Sequence, residues 1–364
     1  MELPRSVWRY LFMELEQIKI PPTLVIGANG FIGRAVVDAL AVADPASIRA
    51  GIRSSSISSR LSPSRVVHCD LDDAPSLRSA MTGQSVVIHC ARDVTNDRGC
   101  ESAGIASVIE CAKQSGVQRL IYISSVAVYG QVSGVVTEAT PPRPPVVPYG
   151  ENKRRAERYL EAAATKDFRI VVLRPTLVYG PYSEEWTARY VRDLVAGRLT
   201  RLGRAGEGTA NLIFVGDLAR FCVHLTTSNI ELFTVLNVNG DEHPSFNQYF
   251  EHMSAALGFG SLADADAQYL HETRRWARRL LRAGLKVQRK FLPAVLSRTI
   301  VGRLQGRLEM RYAHNHWDQS LAIHPTDVVF SNDASKRLGF LATVSLDCGL
   351  RAVEKWARDD GLIP

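Results

Sequence analysis

Thr23-Leu24-Val25-Ile26 runs directly into Gly27-Ala28-Asn29-Gly30-Phe31-Ile32-Gly33, and the chain continues with Val36, Val37 and Leu40 at helical spacing. The first four residues read as a buried strand and the stretch after Gly30 as a helix. Three glycines in the pattern GxxGxxG join them. Glycines at such a junction permit a tight turn and close backbone approach, and the helix N-terminus favours a pyrophosphate. The spacing alone is weakly specific; a strand before it and a helix after it make it strong. Gly27, Asn29, Gly30, Phe31, Ile32 and Gly33 are therefore the expected dinucleotide contacts. The alternative is a strand–helix turn with no ligand.

Outward from this turn, strand-length apolar runs alternate with helix-length stretches. The candidate strands are Thr23–Ile26, Ser47–Ile52, Val66–Cys69, Val86–His89, Leu120–Ile123 and Ile170–Leu173. Near-continuous apolar strands suit a parallel sheet covered on both faces. The expected fold is α/β, a Rossmann-type doubly wound parallel sheet with a smaller, mainly helical C-terminal substrate lobe. The dinucleotide domain is placed at 20–180, with Asn211–Val215 and Val235–Val238 as strands returning from about 211–240. The lobe takes 181–210, read as a helix and then a Gly-rich turn, and 241–364, closing after Gly339 with a helix that holds Leu350, Val353 and Trp356. Residues 1–19 form an N-terminal extension in which Trp8, Leu11, Phe12 and Leu15 recur at helical spacing, and the stretch lacks the features of a signal peptide.

The second strand ends at Arg53-Ser54-Ser55-Ser56 rather than at an acid. A carboxylate there binds the ribose 2′-hydroxyl of NAD, whereas a guanidinium beside hydroxyls suits a 2′-phosphate. NADP is the favoured cofactor and NAD the other; a solvated Arg53 on a loop is the plain alternative. Asp70-Leu71, ending the third strand, is placed to contact adenine, or Asp70 caps a helix.

Tyr149-Gly150-Glu151-Asn152-Lys153 sets a tyrosine and a lysine four apart, on one side of a helix. Ser124-Ser125 follows an apolar strand upstream. A free tyrosine ionises near pH 10, so it needs a neighbouring cation to act as a base. Lys153 supplies that cation and can also hold a nicotinamide ribose. Tyr149 then moves a proton at a substrate oxygen that Ser125 holds by a hydrogen bond. A Tyr/Lys pair alone is common on surface helices; the glycine turn and the Ser-Ser pair turn the reading towards catalysis.

With these motifs in place, the chain resembles the extended short-chain dehydrogenase/reductases, which include the NAD-dependent epimerase/dehydratase family. The resemblance rests on Gly27–Gly33, His89-Cys90-Ala91, Ile123-Ser124-Ser125 with Val128-Tyr129-Gly130, and Tyr149–Lys153 with Ala156-Glu157. It continues through Leu173-Arg174-Pro175, Val178-Tyr179-Gly180-Pro181, Phe214–Ala219 and Asn237–Gly240. It implies that Ser125, Tyr149 and Lys153 are catalytic and that Ala91 and Pro175 line the cofactor. It also implies an NAD(P)-dependent oxidoreductase or epimerase acting at a secondary alcohol or ketone, with an activated sugar of polysaccharide biosynthesis as the leading substrate. A homodimer through helices near 100–115 and 150–164 is the expected assembly. Departures bear on the substrate. Sugar-nucleotide epimerases carry an Asn where this chain has Thr176-Leu177, an Arg where it has Ala210 and Asn211, and an Arg-Arg-Pro-Gly-Asp segment where it has Ile323–Asp327. A lipid-linked or lipophilic ketone is accordingly the second substrate class. A non-catalytic NADP-sensing protein is the rival of another kind, and a full Ser/Tyr/Lys set argues against it.

Charge is concentrated in one segment. Residues 271–311 carry twelve Lys or Arg against Glu272 and Glu309, a local +10 in a chain of +7, which leaves −3 for everything else. Trp276, Leu280, Ala283, Val287 and Phe291 recur there at helical spacing. The segment reads as a lobe helix with solvated arginines, then as a peripheral membrane contact, then as a site for an anionic substrate. Nucleic acid is not expected, because the charge carries no regular aromatic interleaving. No apolar run reaches transmembrane length. Six scattered cysteines without a CxxC pair read as free, buried thiols of a reducing compartment, and a cytoplasmic location is expected. His314, His316 and His324 lack a ligand pattern, so no metal is expected; Glu138 reads as a loop acid in water, or as a substrate contact.

Overall fold

A computed structural model describes residues 12–16, 18–53, 65–91, 101–144, 148–264 and 327–364. The basic segment 271–311, the three histidines, Cys100, Trp8 and Leu11 lie outside these residues.

The chain opens on β1 (Thr23–Ile26), α1 (Phe31–Ala43), β2 (Ile48–Ile52), β3 (Val66–His68), α2 (Ala74–Met81), β4 (Val86–His89), α3 (Glu101–Gln114) and β5 (Arg119–Ile123). There follow β6 (Gly134–Val136), α4 (Pro148–Ala163), β7 (Arg169–Pro175), β8 (Leu177–Tyr179), α5 (Arg189–Val195), β9 (Leu212–Phe214), α6 (Val215–Leu225) and β10 (Phe233–Val238). The described C-terminal part holds α7 (Phe246–Ala256), β11 (Val328–Phe330), α8 (Asp333–Arg337) and α9 (Leu346–Asp359). Seven strands form one parallel sheet in the order β10-β7-β5-β4-β1-β2-β3. The order reverses between β1 and β4, the kind of switch point at which doubly wound sheets open a ligand crevice.

Side chains alternate along each strand, and both sets are apolar. Val25, Ile88, Ile121, Ile123, Val171 and Leu173 face one core, with α1 and α6 over it. Leu24, Ile26, Val87, Leu120, Ile170 and Val172 face the other, under α2, α3 and α4. That two-sided burial is why the strands read as continuous apolar runs. The lobe has its own core, in which Tyr190, Leu212, Phe250, Met253, Leu350 and Trp356 are buried.

The expected strands of the large sheet are all present. Ser47 lies outside β2, in a turn that Asp44 caps through the Ala46 amide. The Asn211–Val215 stretch does not return to the large sheet. It forms β9, which among the described residues pairs only with β8, and Val215 already begins α6. Between 181 and 210 a π turn at Glu184–Ala188 precedes α5, and a 3-10 turn at Gly203–Glu207 fills the Gly-rich part. Of the N-terminal apolar residues, Phe12 and Leu15 are buried against the first core, beside a 3-10 turn at Met13–Leu15. Leu350, Val353 and Trp356 lie on the buried side of α9, as their spacing predicts. Among the described cysteines, all free, Cys348 is exposed rather than buried.

Candidate active site

The glycine turn leaves no room for a side chain at Gly27 or Gly33. Gly27 has φ of +82°, and a Cβ there would lie 2.6 Å from the Ala91 amide nitrogen. A Cβ on Gly33 would lie 2.2 Å from Gly27 O. Ala91 thus sits against the turn, just beyond β4. The helical hydrogen bonds of α1 begin with Arg34 N donating to Gly30 O at 2.9 Å, so the amides ahead of it point into the turn. These groups fit a dinucleotide pyrophosphate. Because β1, β2 and β3 are parallel neighbours, Arg53 and Asp70-Leu71 come to the same edge of the sheet as the turn. Arg53 is exposed there. Asp70 accepts from the Asp72 amide at 3.2 Å and does not cap α2, whose N-cap is Asp73. Pro175 ends β7 at this edge, paired with Val238.

Tyr149 stands in the first turn of α4 and Lys153 one turn later, buried at 5% exposure. Its Nζ donates to Tyr122 Oη at 3.0 Å and to Ile123 O at 2.9 Å. The same nitrogen lies 4.6 Å from the Tyr122 ring centroid and 5.8 Å from that of Tyr149. A carbonyl, a phenol and two aromatic rings replace water around the buried ammonium. An ammonium has three donors, so these two bonds leave a third for a ribose hydroxyl. Ser125 follows β5 as the N-cap of a 3-10 turn at Val126–Tyr129, accepting from the Ala127 amide at 3.2 Å. Accepting from that amide leaves its own proton to donate to a substrate oxygen. Burial pushes the Cys90 thiol, next to Ala91, up to about 12, so it stays protonated and is a poor nucleophile.

Beneath this edge runs a buried polar chain. Glu157, one turn beyond Lys153 on α4, accepts from Ser124 Oγ and from Arg174 at two points, Nε at 3.1 Å and Nη2 at 2.6 Å. Arg174 Nη1 donates to Tyr129 Oη at 2.7 Å, and Tyr129 Oη donates to Asn237 Oδ1 at 2.8 Å. The Asn237 amide then donates to Glu138 Oε1 at 2.7 Å. Glu138 is therefore a tie to β10, not a loop acid in water. Burial alone would lower the Arg174 guanidinium, but the hydrogen bond and charge of Glu157 hold it above its ordinary value. Burial raises the Tyr129 phenol, which stays a neutral donor.

The sequence marks the glycine turn and the Ser125/Tyr149/Lys153 set, but it assigns no role to Tyr122, Glu157, Tyr129 or Asn237. Glu157 carries two readable signs, its place beside Ala156 among the residues of the family resemblance and its spacing of four from Lys153 on the same helix face. Tyr122 carries none, since a tyrosine in an apolar run reads as core.

A doubly wound sheet with a glycine turn at its switch point and a Tyr/Lys pair at the same edge defines a dinucleotide-dependent enzyme class. The NAD dependent epimerase/dehydratase family matches residues 23–238, more than half of the chain, which belongs to that family. The chain is 24% identical over 148 residues to an N-acetyl-alpha-D-glucosaminyl-diphospho-ditrans,octacis-undecaprenol 4-epimerase of Escherichia coli O157:H7, covering 40% of this chain and 44% of the relative. It is 31% identical over 115 residues to a UDP-glucose 4-epimerase of Vibrio cholerae, covering 31% of this chain and 35% of the relative. These matches span less than half of each relative. The crystal structure of a Thermus thermophilus UDP-glucose 4-epimerase in complex with NAD shares the fold, with a TM-score of 0.66, 18% identity and coverage of 92% of this chain and 98% of that one. Among the described residues no helix is long and apolar enough to cross a membrane, and no group of side chains could hold a metal ion.

Proposed function

We propose that this chain is an NAD(P)-dependent oxidoreductase or epimerase acting at a secondary alcohol or ketone carbon of an activated sugar used in polysaccharide biosynthesis. The observation that carries the reading is Lys153, buried and fixed at the C-terminal end of β5 with its ammonium 5.8 Å from the Tyr149 ring. A bound nicotinamide supplies the redox chemistry. Ser125 donates a hydrogen bond to the substrate oxygen. Tyr149 takes the proton from that oxygen during oxidation and returns it during reduction. The Lys153 charge favours the phenolate while its third donor holds the ribose. Tyr149→Phe should lower turnover about 10²–10⁴-fold with cofactor affinity unchanged, the range for loss of a general acid–base group. Unchanged turnover in that variant refutes the assignment.

The relatives, 4-epimerases of activated sugars, support the sugar. The undecaprenol-linked substrate in one of them also supports the second reading, a lipid-linked sugar met at the membrane surface, with 271–311 as the contact. UDP-glucose against its undecaprenyl-diphosphate-linked counterpart, compared by turnover, decides between the two. NADP is the favoured cofactor because Arg53 follows β2 where an acid would serve NAD. Arg53→Ala should narrow the preference for NADP a few-fold in a titration of both cofactors, an exposed charge contact being worth about 1 kcal/mol or less. Equal affinities in the unaltered protein contradict it. Assembly as a homodimer through α3 and α4, which pack side by side, completes the proposal.

A further inference from the structure

We infer that Glu157 is a positioning residue for the proton-transfer set, tying the three elements that carry it into one register. The inference rests on the function proposed above. A buried carboxylate, 7% exposed, must be compensated where it sits. Glu157 is compensated from two directions. Ser124 bonds it from the end of β5, and Arg174 grips it as a two-point fork from the end of β7. Glu157 itself belongs to α4, eight residues beyond Tyr149 and four beyond Lys153, on the same face of the helix.

Each partner is one step from a working group. Ser124 adjoins Ser125, and its amide donates to Leu173 O at 2.7 Å, extending the β5–β7 pairing. Ile123, just before it, supplies the carbonyl that fixes Lys153. Arg174 lies between Leu173 and Pro175. The carboxylate therefore pins α4, which sets the height of Tyr149 and Lys153, against the strand ends that set Ser125 and Pro175. Arg174 carries the tie on through Tyr129 and Asn237 to β10. An ion pair placed for stability alone has no need of the Ser124 bond, which reaches the strand end beside Ser125.

The test reads the ionisation of Tyr149 in the NAD-saturated protein, as the ultraviolet difference titration between a protein and its Tyr149→Phe counterpart. The function proposed above predicts that Tyr149 of the unaltered protein titrates below the ordinary value of about 10, because the Lys153 ammonium and an oxidised nicotinamide favour the phenolate. Glu157→Gln keeps the volume and an acceptor for Ser124 but loses the fork. Removing a negative charge by itself favours the phenolate and lowers the pKa. Displacement of Lys153 raises it. The inference predicts a rise of about one unit, a tenfold smaller phenolate-to-phenol ratio at fixed pH. Ser124→Ala, which leaves the ion pair whole, should raise it less but in the same direction, and decides the matter if Glu157→Gln does not fold. No change or a fall in the folded variants overturns the inference and leaves the function standing. A value of about 10 in the unaltered protein overturns the function and the inference together.

Discussion

Strand β7 carries an arginine at each end, and the two do different work. At its N-terminal end Arg169 donates to Ile230 O, beside Arg119 of β5, which donates to Leu225 O and to Ser228 O at 2.8 Å. These bonds close off the C-terminal end of α6 and the turn after it, where carbonyls lack helical partners and a cation is welcome. The cleft there, about 360 Å³, is also lined by Lys166, Asp167 and Gln118. Burial, and then the charge of Arg169, lowers the Arg119 guanidinium. At the C-terminal end Arg174 meets a carboxylate and a phenol. The same residue type on the same strand is a loop tie at one edge and part of a buried charge network at the other. Helix N-termini and the switch point gather at that second edge, so fixed polar groups there can act on a ligand.

The comparison breaks most readily at Arg174. Arg174→Met leaves Glu157 buried without its counter-charge, and chemical denaturation should show a loss of about 3–5 kcal/mol. A loss below 1 kcal/mol would mean that the pair is no more than a surface contact.

Asp217, in the first turn of α6, sharpens the contrast as a carboxylate whose partners do not offset its burial. Arg220, Thr343 and the Val344 amide all bond it, yet burial pushes it up to about 6. A folded-state value above the unfolded one means that its stabilising contribution is full below pH 4 and is lost as pH rises through 6. Relative to Asp217→Asn, the unaltered protein should lose about 2–3 kcal/mol between pH 4 and pH 7. Parallel pH profiles for the two proteins contradict this.

Arg169→Met tests the other edge. One half-buried bond to a carbonyl is worth about 1 kcal/mol, so a small fall in stability with unchanged turnover is expected. A large loss of turnover would erase the distinction between the two ends.

The contrast also marks what was legible in the sequence. Strands buried on two faces leave continuous apolar runs, and a turn with no room for a Cβ at Gly27 and Gly33 leaves glycines there, so the large sheet and the nucleotide turn could be read directly. Tyr149 and Lys153 are local on one helix and could be read too. Ser124, Glu157 and Arg174 meet only after α4 crosses back over the sheet, and no short-range pattern records that meeting. The three-residue run of β9 looks the same whether it joins seven strands or one, so its pairing with β8 could not be read from its composition. Glu138 looked solvated because its acceptor role depends on the β10 backbone a hundred residues away.

The most direct measurement of the central claim is the near-ultraviolet absorbance of the protein-bound nicotinamide after addition of a UDP-sugar, in the unaltered protein and in Tyr149→Phe. The account predicts that the unaltered protein forms reduced nicotinamide on mixing and that the variant forms it at least a hundredfold more slowly, about the lower limit for a lost general base. Equal rates in the two proteins, or sugar conversion with no reduced nicotinamide at any time, would contradict it.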